Sequence, residues 1–169
     1  MARLLDLYCT LLKGTIAAFL AVMVVLVFGN VVLRYGFNSG IAISEELSRW
    51  LLVWLTFLGA VVAMREHAHL GVDAIVRMLP AVGKRFCFII NYCLMLFADW
   101  LLLSGSWRQT IINIDDRAPA TGLSLGIFYG VGVIFGVSAG VILLYDLFRV
   151  ISGQASEADM VAVRESEEH

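Results

Sequence analysis

From Gly14 to Leu33 the chain runs for twenty residues without a charged side chain, bounded by Lys13 and Arg34. A helix of that length covers ~30 Å, the thickness of a bilayer's hydrocarbon core. The run is too long for the apolar region of a secretory signal, lacks a small-residue cleavage site and is followed by further apolar runs. It therefore reads as a first membrane span. A third run, Phe86 to Trp107, contains Asp99 as its only charge, and a fourth, Ala118 to Tyr145, contains none.

The second run is short: fifteen residues, Trp50 to Met64, lie between Arg49 and Arg65. They reach only ~22 Å, so the helix must extend back to Ile43 to cross a ~30 Å core. That extension draws Glu45, Glu46 and Arg49 to the membrane boundary. Ser44 is placed to cap the helix, the acids suit its positive end, and either carboxylate lies within one turn of Arg49. Two readings follow: a well-made helix start with Trp50 and Trp54 as interfacial anchors, or a polar contact with another subunit.

The expected fold is an all-α membrane protein with four transmembrane helices, at about 14–34, 43–65, 86–107 and 118–146. Composition agrees, with 60% hydrophobic and 15% charged residues and a mean hydropathy of +0.87, against ~25% charged in soluble domains. Residues 1–153 form the membrane domain and 154–169 a polar tail. Eight of the twelve lysines and arginines fall in the N-terminus, the loop between spans two and three, and the tail. This predicts that both termini face the cytoplasm.

In the loop between spans two and three, Val72, Ile75, Val76 and Leu79 recur at helical spacing before Pro80, which predicts a short amphipathic interfacial helix. Arg65, His69 and Asp73 would share one flank of a continuous helix. His67 and His69 would point about 200° apart, which argues against a metal site, and neither lies inside a span to hold a haem. The three cysteines, Cys9, Cys87 and Cys93, have no paired spacing and read as small apolar residues.

Asp99 is costly inside a span. Either it is paired with Arg34, Arg49 or Asn30, or it takes part in transport. Gly122, Gly126, Gly130, Gly132, Gly136 and Gly140 fall within about 160° of a helical wheel and predict a face for close helix packing. No phosphate loop, nucleophile elbow, acid–base pair or basic nucleic-acid surface is present in the sequence.

The segments "NVVLRYGF", "SEELSRWLLVWLTFLGAVVAMREHAHLGVD" and "RAPATGLSLGIFYGVG" resemble the small, DctQ-like membrane subunit of tripartite ATP-independent periplasmic (TRAP) transporters. The resemblance covers nearly all four spans and rests on Arg34, Tyr35, Glu45, Glu46, Arg49, Gly59, Arg65, His69 and Asp73 in order. It implies a bacterial inner-membrane protein, surrounded by lipid, that is not an enzyme. Its implied partners are a large DctM-like membrane subunit, which holds the substrate and sodium path, and a periplasmic protein that delivers a carboxylate substrate. No cofactor is expected in this chain, whose implied role is to enlarge the scaffold of the large subunit. The alternative is an autonomous homodimeric carrier with Asp99 as its coupling acid.

Overall fold

The computed structural model describes residues 2–66 and 81–151. Four helices account for most of them: α1 (Ala2–Gly36), α2 (Ala42–Arg65), α3 (Ala81–Ile112) and α4 (Leu125–Ile151). Each is long and apolar enough to cross a membrane. The expected interfacial helix, with His69 and Asp73, and the polar tail lie outside the described residues.

α1 is longer than the charge-free run that announces it, because Leu4, Leu5, Leu7, Tyr8, Leu11 and Leu12 continue the apolar pattern before Lys13. At 35 residues it extends ~52 Å, well beyond a ~30 Å core. It ends at a turn in which Ser39 N–H reaches back to the Leu33 carbonyl at 3.1 Å. Asn38 there takes φ 50°, a left-handed conformation that asparagine tolerates better than most residues.

α2 opens at Ala42, two residues before Ser44, so Ser44 lies inside the first turn and does not cap it. The chain is instead held before the helix by Asn30 of α1, whose Oδ1 accepts the Ile41 N–H at 2.8 Å. Ser44 donates its hydroxyl to the Leu26 carbonyl of α1 at 3.2 Å. α4 likewise departs from its expected start. Residues 118–124 form a compact turn and the helix begins at Leu125, because Pro119 and Gly122, at φ +70°, favour a turn over a helix.

The packing order is α1–α2–α4–α3. α2 and α4 run parallel, and two aromatic pairs one heptad apart record it: Trp50 against Phe128 and Phe57 against Phe135, each with ring centroids 5.5 Å apart. A core of Leu12, Leu58, Val61, Val62 and Ile142 joins α1, α2 and α4. It lies toward the end of the bundle where α1 begins and α2 and α4 finish. Trp54 packs edge-on to Phe19, centroids 6.4 Å apart. It lies twelve residues and ~18 Å into α2.

α3 and α4 pack antiparallel through the glycines. A Cβ on Gly126 would stand 3.1 Å from Ile114 Cα, one on Gly132 2.9 Å from Ser106 Cβ, and one on Gly136 2.8 Å from Leu103 Cβ. One on Gly140 would stand 3.1 Å from Asp99 Oδ2. As α4 advances from Gly126 to Gly140, its neighbour retreats from Ile114, just past the end of α3, to Asp99 on α3, which defines the register. Two of the six glycines stand apart: Gly122 lies in the turn, and Gly130 faces open space.

This asymmetry gives a test. Gly136→Ala should destabilise the protein by about 1–3 kcal/mol, since its methyl group meets the Leu103 side chain close to the backbone. Gly130→Ala, with nothing within 4 Å, should be neutral or stabilising by about 0.5–1 kcal/mol through helix propensity. Thermal midpoints in detergent, measured side by side, should diverge in those directions.

Candidate functional site

The polar residues concentrate at two levels of the bundle. At the end where α1 meets α2 and α3 meets α4, the first turns of α2 project Glu45 and Glu46 to opposite sides. Glu45 Oε1 accepts from Asn30 Nδ2 at 3.2 Å and from Arg34 Nη1 at 3.3 Å, both on α1. Glu46, buried, turns toward the α3–α4 connection, where its carboxylate accepts the Ala120 N–H at 2.9 Å and the Thr121 N–H at 3.2 Å. The Thr121 hydroxyl donates to the same carboxylate.

The turn is built to present those donors. Ala118 N–H meets the Leu123 carbonyl at 2.8 Å, and Gly122 N–H meets the Ala118 carbonyl at 2.9 Å. An antiparallel bridge joins Arg117 to Ser124, and Ser124 Oγ donates to the Ile114 carbonyl at 2.5 Å. Two successive backbone N–H groups thereby point outward as a small anion cradle. The anion is supplied by the chain itself, from a residue more than seventy positions earlier.

Arg49 forms neither of the carboxylate pairs that its spacing allows. Its Nε donates to the Glu45 backbone carbonyl at 3.4 Å, while both acids are engaged elsewhere. The exposed Arg49 side chain instead stands between two recesses. One, of about 400 Å³, lies between α1 and α2 with Arg34, Tyr35 and Glu45 in its wall. The other, of about 270 Å³, lies between α2 and the start of α4 and includes Glu46, Trp50 and Pro119. Tyr35 itself is 86% exposed.

At the opposite end Arg65 gathers three helices. Its guanidinium donates to Asp6 Oδ1 of α1, with Nη2 at 2.9 Å, and lies 6.0 Å from the ring centroid of Tyr145 on α4. Lys13 pairs with Glu66 at 2.5 Å, and Tyr8 and Ser138 share a hydrogen bond of 2.8 Å between α1 and α4. Arg65 is thus turned back onto the bundle.

Asp99 meets none of its expected partners. Arg34 and Asn30 are committed to Glu45, and Asp99 faces α4 at Gly140, with Oδ1 buried and lacking a hydrogen-bond partner among the described residues. A second buried acid, Asp146 on α4, was not legible as such, because it sits at the polar end of an apolar run. Ala120 and Thr121 were equally silent: a backbone N–H carries no sequence signature.

Residues 23–153 match the model of the family described as "Tripartite ATP-independent periplasmic transporters, DctQ component". A TRAP transporter small permease protein of Haemophilus influenzae is 46% identical over 132 residues, 78% of this chain and 82% of that protein. The C4-dicarboxylate TRAP transporter small permease protein DctQ of Vibrio cholerae is 35% identical over 61% of this chain and 44% of its own length. The sialic acid TRAP transporter permease protein SiaT of H. influenzae is 30% identical over 51% of this chain, a match that occupies 14% of SiaT.

Removing the Glu46 carboxylate should release the α3–α4 turn. Glu46→Ala removes the acceptor of the half-buried Ala120 and Thr121 N–H groups. The thermal midpoint is expected to fall by several degrees and trypsin to cut faster after Arg117, whereas Arg49→Ala, whose side chain forms no ion pair among the described residues, should change neither.

Proposed function

The chain belongs to the DctQ component family of the tripartite ATP-independent periplasmic transporters, and on that premise we propose that it is the fixed scaffold beside a large permease subunit. It is a small permease subunit of a TRAP transporter, a multi-pass protein of the bacterial inner membrane and not an enzyme. The observation that carries the scaffold reading is where its polar side chains are spent. Glu45, Glu46, Asn30 and Ser44 tie α2 to α1 and to the α3–α4 turn, and Arg65 ties α1, α2 and α4 together. A bundle braced at both ends, with one helix pair in near-backbone contact, suits a part that stays still while another moves.

In this reading a DctM-like large subunit holds the substrate and sodium path, and a periplasmic binding protein delivers a carboxylate. The name of the SiaT relative, in which the matched stretch is a small part of a longer permease, supports work in contact with a larger membrane unit. The names C4-dicarboxylate and sialic acid, carried by two relatives, both denote carboxylate-bearing solutes. The excess of lysine and arginine supports an orientation with both termini in the cytoplasm and Glu45, Glu46 and Arg49 on the periplasmic side.

One observation favours a second reading. The Oδ1 of Asp99, without a hydrogen-bond partner among the described residues, would suit a coupling acid in an autonomous homodimeric carrier. Proteoliposomes separate the two. With this chain alone, carboxylate uptake should stay at background under a sodium or proton gradient, and should appear only when large subunit and binding protein are added. Saturable uptake by the chain alone, abolished by Asp99→Asn, would overturn the scaffold reading.

A further inference from the structure

The recess between α1 and α2 has a charge balance that its own residues do not close. Arg34 and Arg49 contribute two guanidinium groups to its wall and Glu45 one carboxylate, leaving a surplus of one positive charge. Glu45 is already shared with Arg34 and Asn30. Glu46 lies on the far side of Arg49, outside the recess, where the neutral N–H and hydroxyl donors of the α3–α4 turn hold it and it keeps its own negative charge. The surplus resides on Arg49, which is in none of the ion pairs among the described residues.

Below the two arginines the recess turns apolar. Val27 and Val31 of α1 line it and remain 47% and 46% exposed. From Val27 to Arg34 is seven residues, ~10 Å along the helix, enough for a headgroup and the first carbons of an acyl chain. α1 leaves room for such a guest, since 6% of its apolar stretch is buried within the chain, the same share as in α3, against 22% for α2 and 33% for α4. The geometry points to a phospholipid site: the single negative charge of a phosphodiester meets Arg49 and Arg34, and an acyl chain lies along Val31 and Val27. A phosphodiester carries the one charge that the recess lacks, and the polar-to-apolar gradient along α1 is that of a lipid entering the bilayer.

The site is tested on the full chain co-purified with its large subunit, stripped of lipid in detergent and then titrated. Phosphatidylglycerol should raise the thermal midpoint, and native mass spectrometry should count the retained lipid. Arg49→Gln should weaken the lipid's apparent affinity about tenfold, the loss of one charge-assisted hydrogen bond, while Arg49→Lys retains most of it. Val31→Trp, which fills the recess without removing a charge, should abolish the rise, so the test does not depend on one variant. Diacylglycerol of the same chains and inorganic phosphate should give no rise. An equal rise with diacylglycerol would reduce the site to apolar filling, and one with inorganic phosphate to a free-anion site; either overturns the proposal. So does an unchanged response in Arg49→Gln and Val31→Trp. A wild-type complex that takes up no lipid here, with Arg49→Gln releasing the large subunit, would assign the recess to protein and overturn it as well.

Discussion

Hydrocarbon forms no hydrogen bonds, and most of this protein's organisation follows from that. Each span must satisfy its backbone internally, which makes it a helix, and each polar side chain that enters the span must find a partner within reach. Asn30 does so with both ends of its amide, receiving the Ile41 N–H on Oδ1 and donating from Nδ2 to Glu45. Ser44 reaches across to the Leu26 carbonyl. These bonds are more than satisfaction of lone groups, because each connects two helices and so converts a local need into tertiary structure.

The same constraint explains the division of labour between the ends and the middle. At the ends, charged side chains are affordable and do the bracing: Glu46 on the α3–α4 turn, Arg65 on Asp6 and Tyr145. In the middle, where a charge is costly and lipid competes with every apolar contact, α3 and α4 hold together by shape. Gly132 and Gly136 let Ser106 and Leu103 approach almost to the backbone, so dispersion contacts replace the hydrophobic drive that water would supply. Asp99 is the exception in this middle region, its carboxylate set against Gly140, which has no side chain to meet it.

Arg49 shows why a motif's residues need not act on one another. Its spacing from Glu45 and Glu46 permits either ion pair, yet each acid has a better offer from another element: a guanidinium and an amide on α1 for Glu45, two backbone N–H groups and a hydroxyl for Glu46. The arginine is thereby left at the surface, between two recesses, in no ion pair among the described residues.

That the chain forms four apolar helices was determined by the sequence alone, because run length and charge placement act locally and need no knowledge of neighbours. The inward reach of α2 to Ile43 was legible for the same reason: fifteen residues cannot cross the core. The partners of Glu45, Glu46 and Asp99 were decided only by the tertiary structure. Ser44 reads as a cap until α1 supplies both the Asn30 acceptor that fixes the chain ahead of it and a carbonyl for its own hydroxyl. Gly122 and Gly130 belong to the packing face on a helical wheel, and leave it because the helix starts at Leu125 and α3 covers only one side. A side chain's spacing states what it can reach on its own helix, whereas its choice depends on donors brought from elsewhere, and backbone N–H groups such as those of Ala120 and Thr121 are the same in every sequence until a fold aims them.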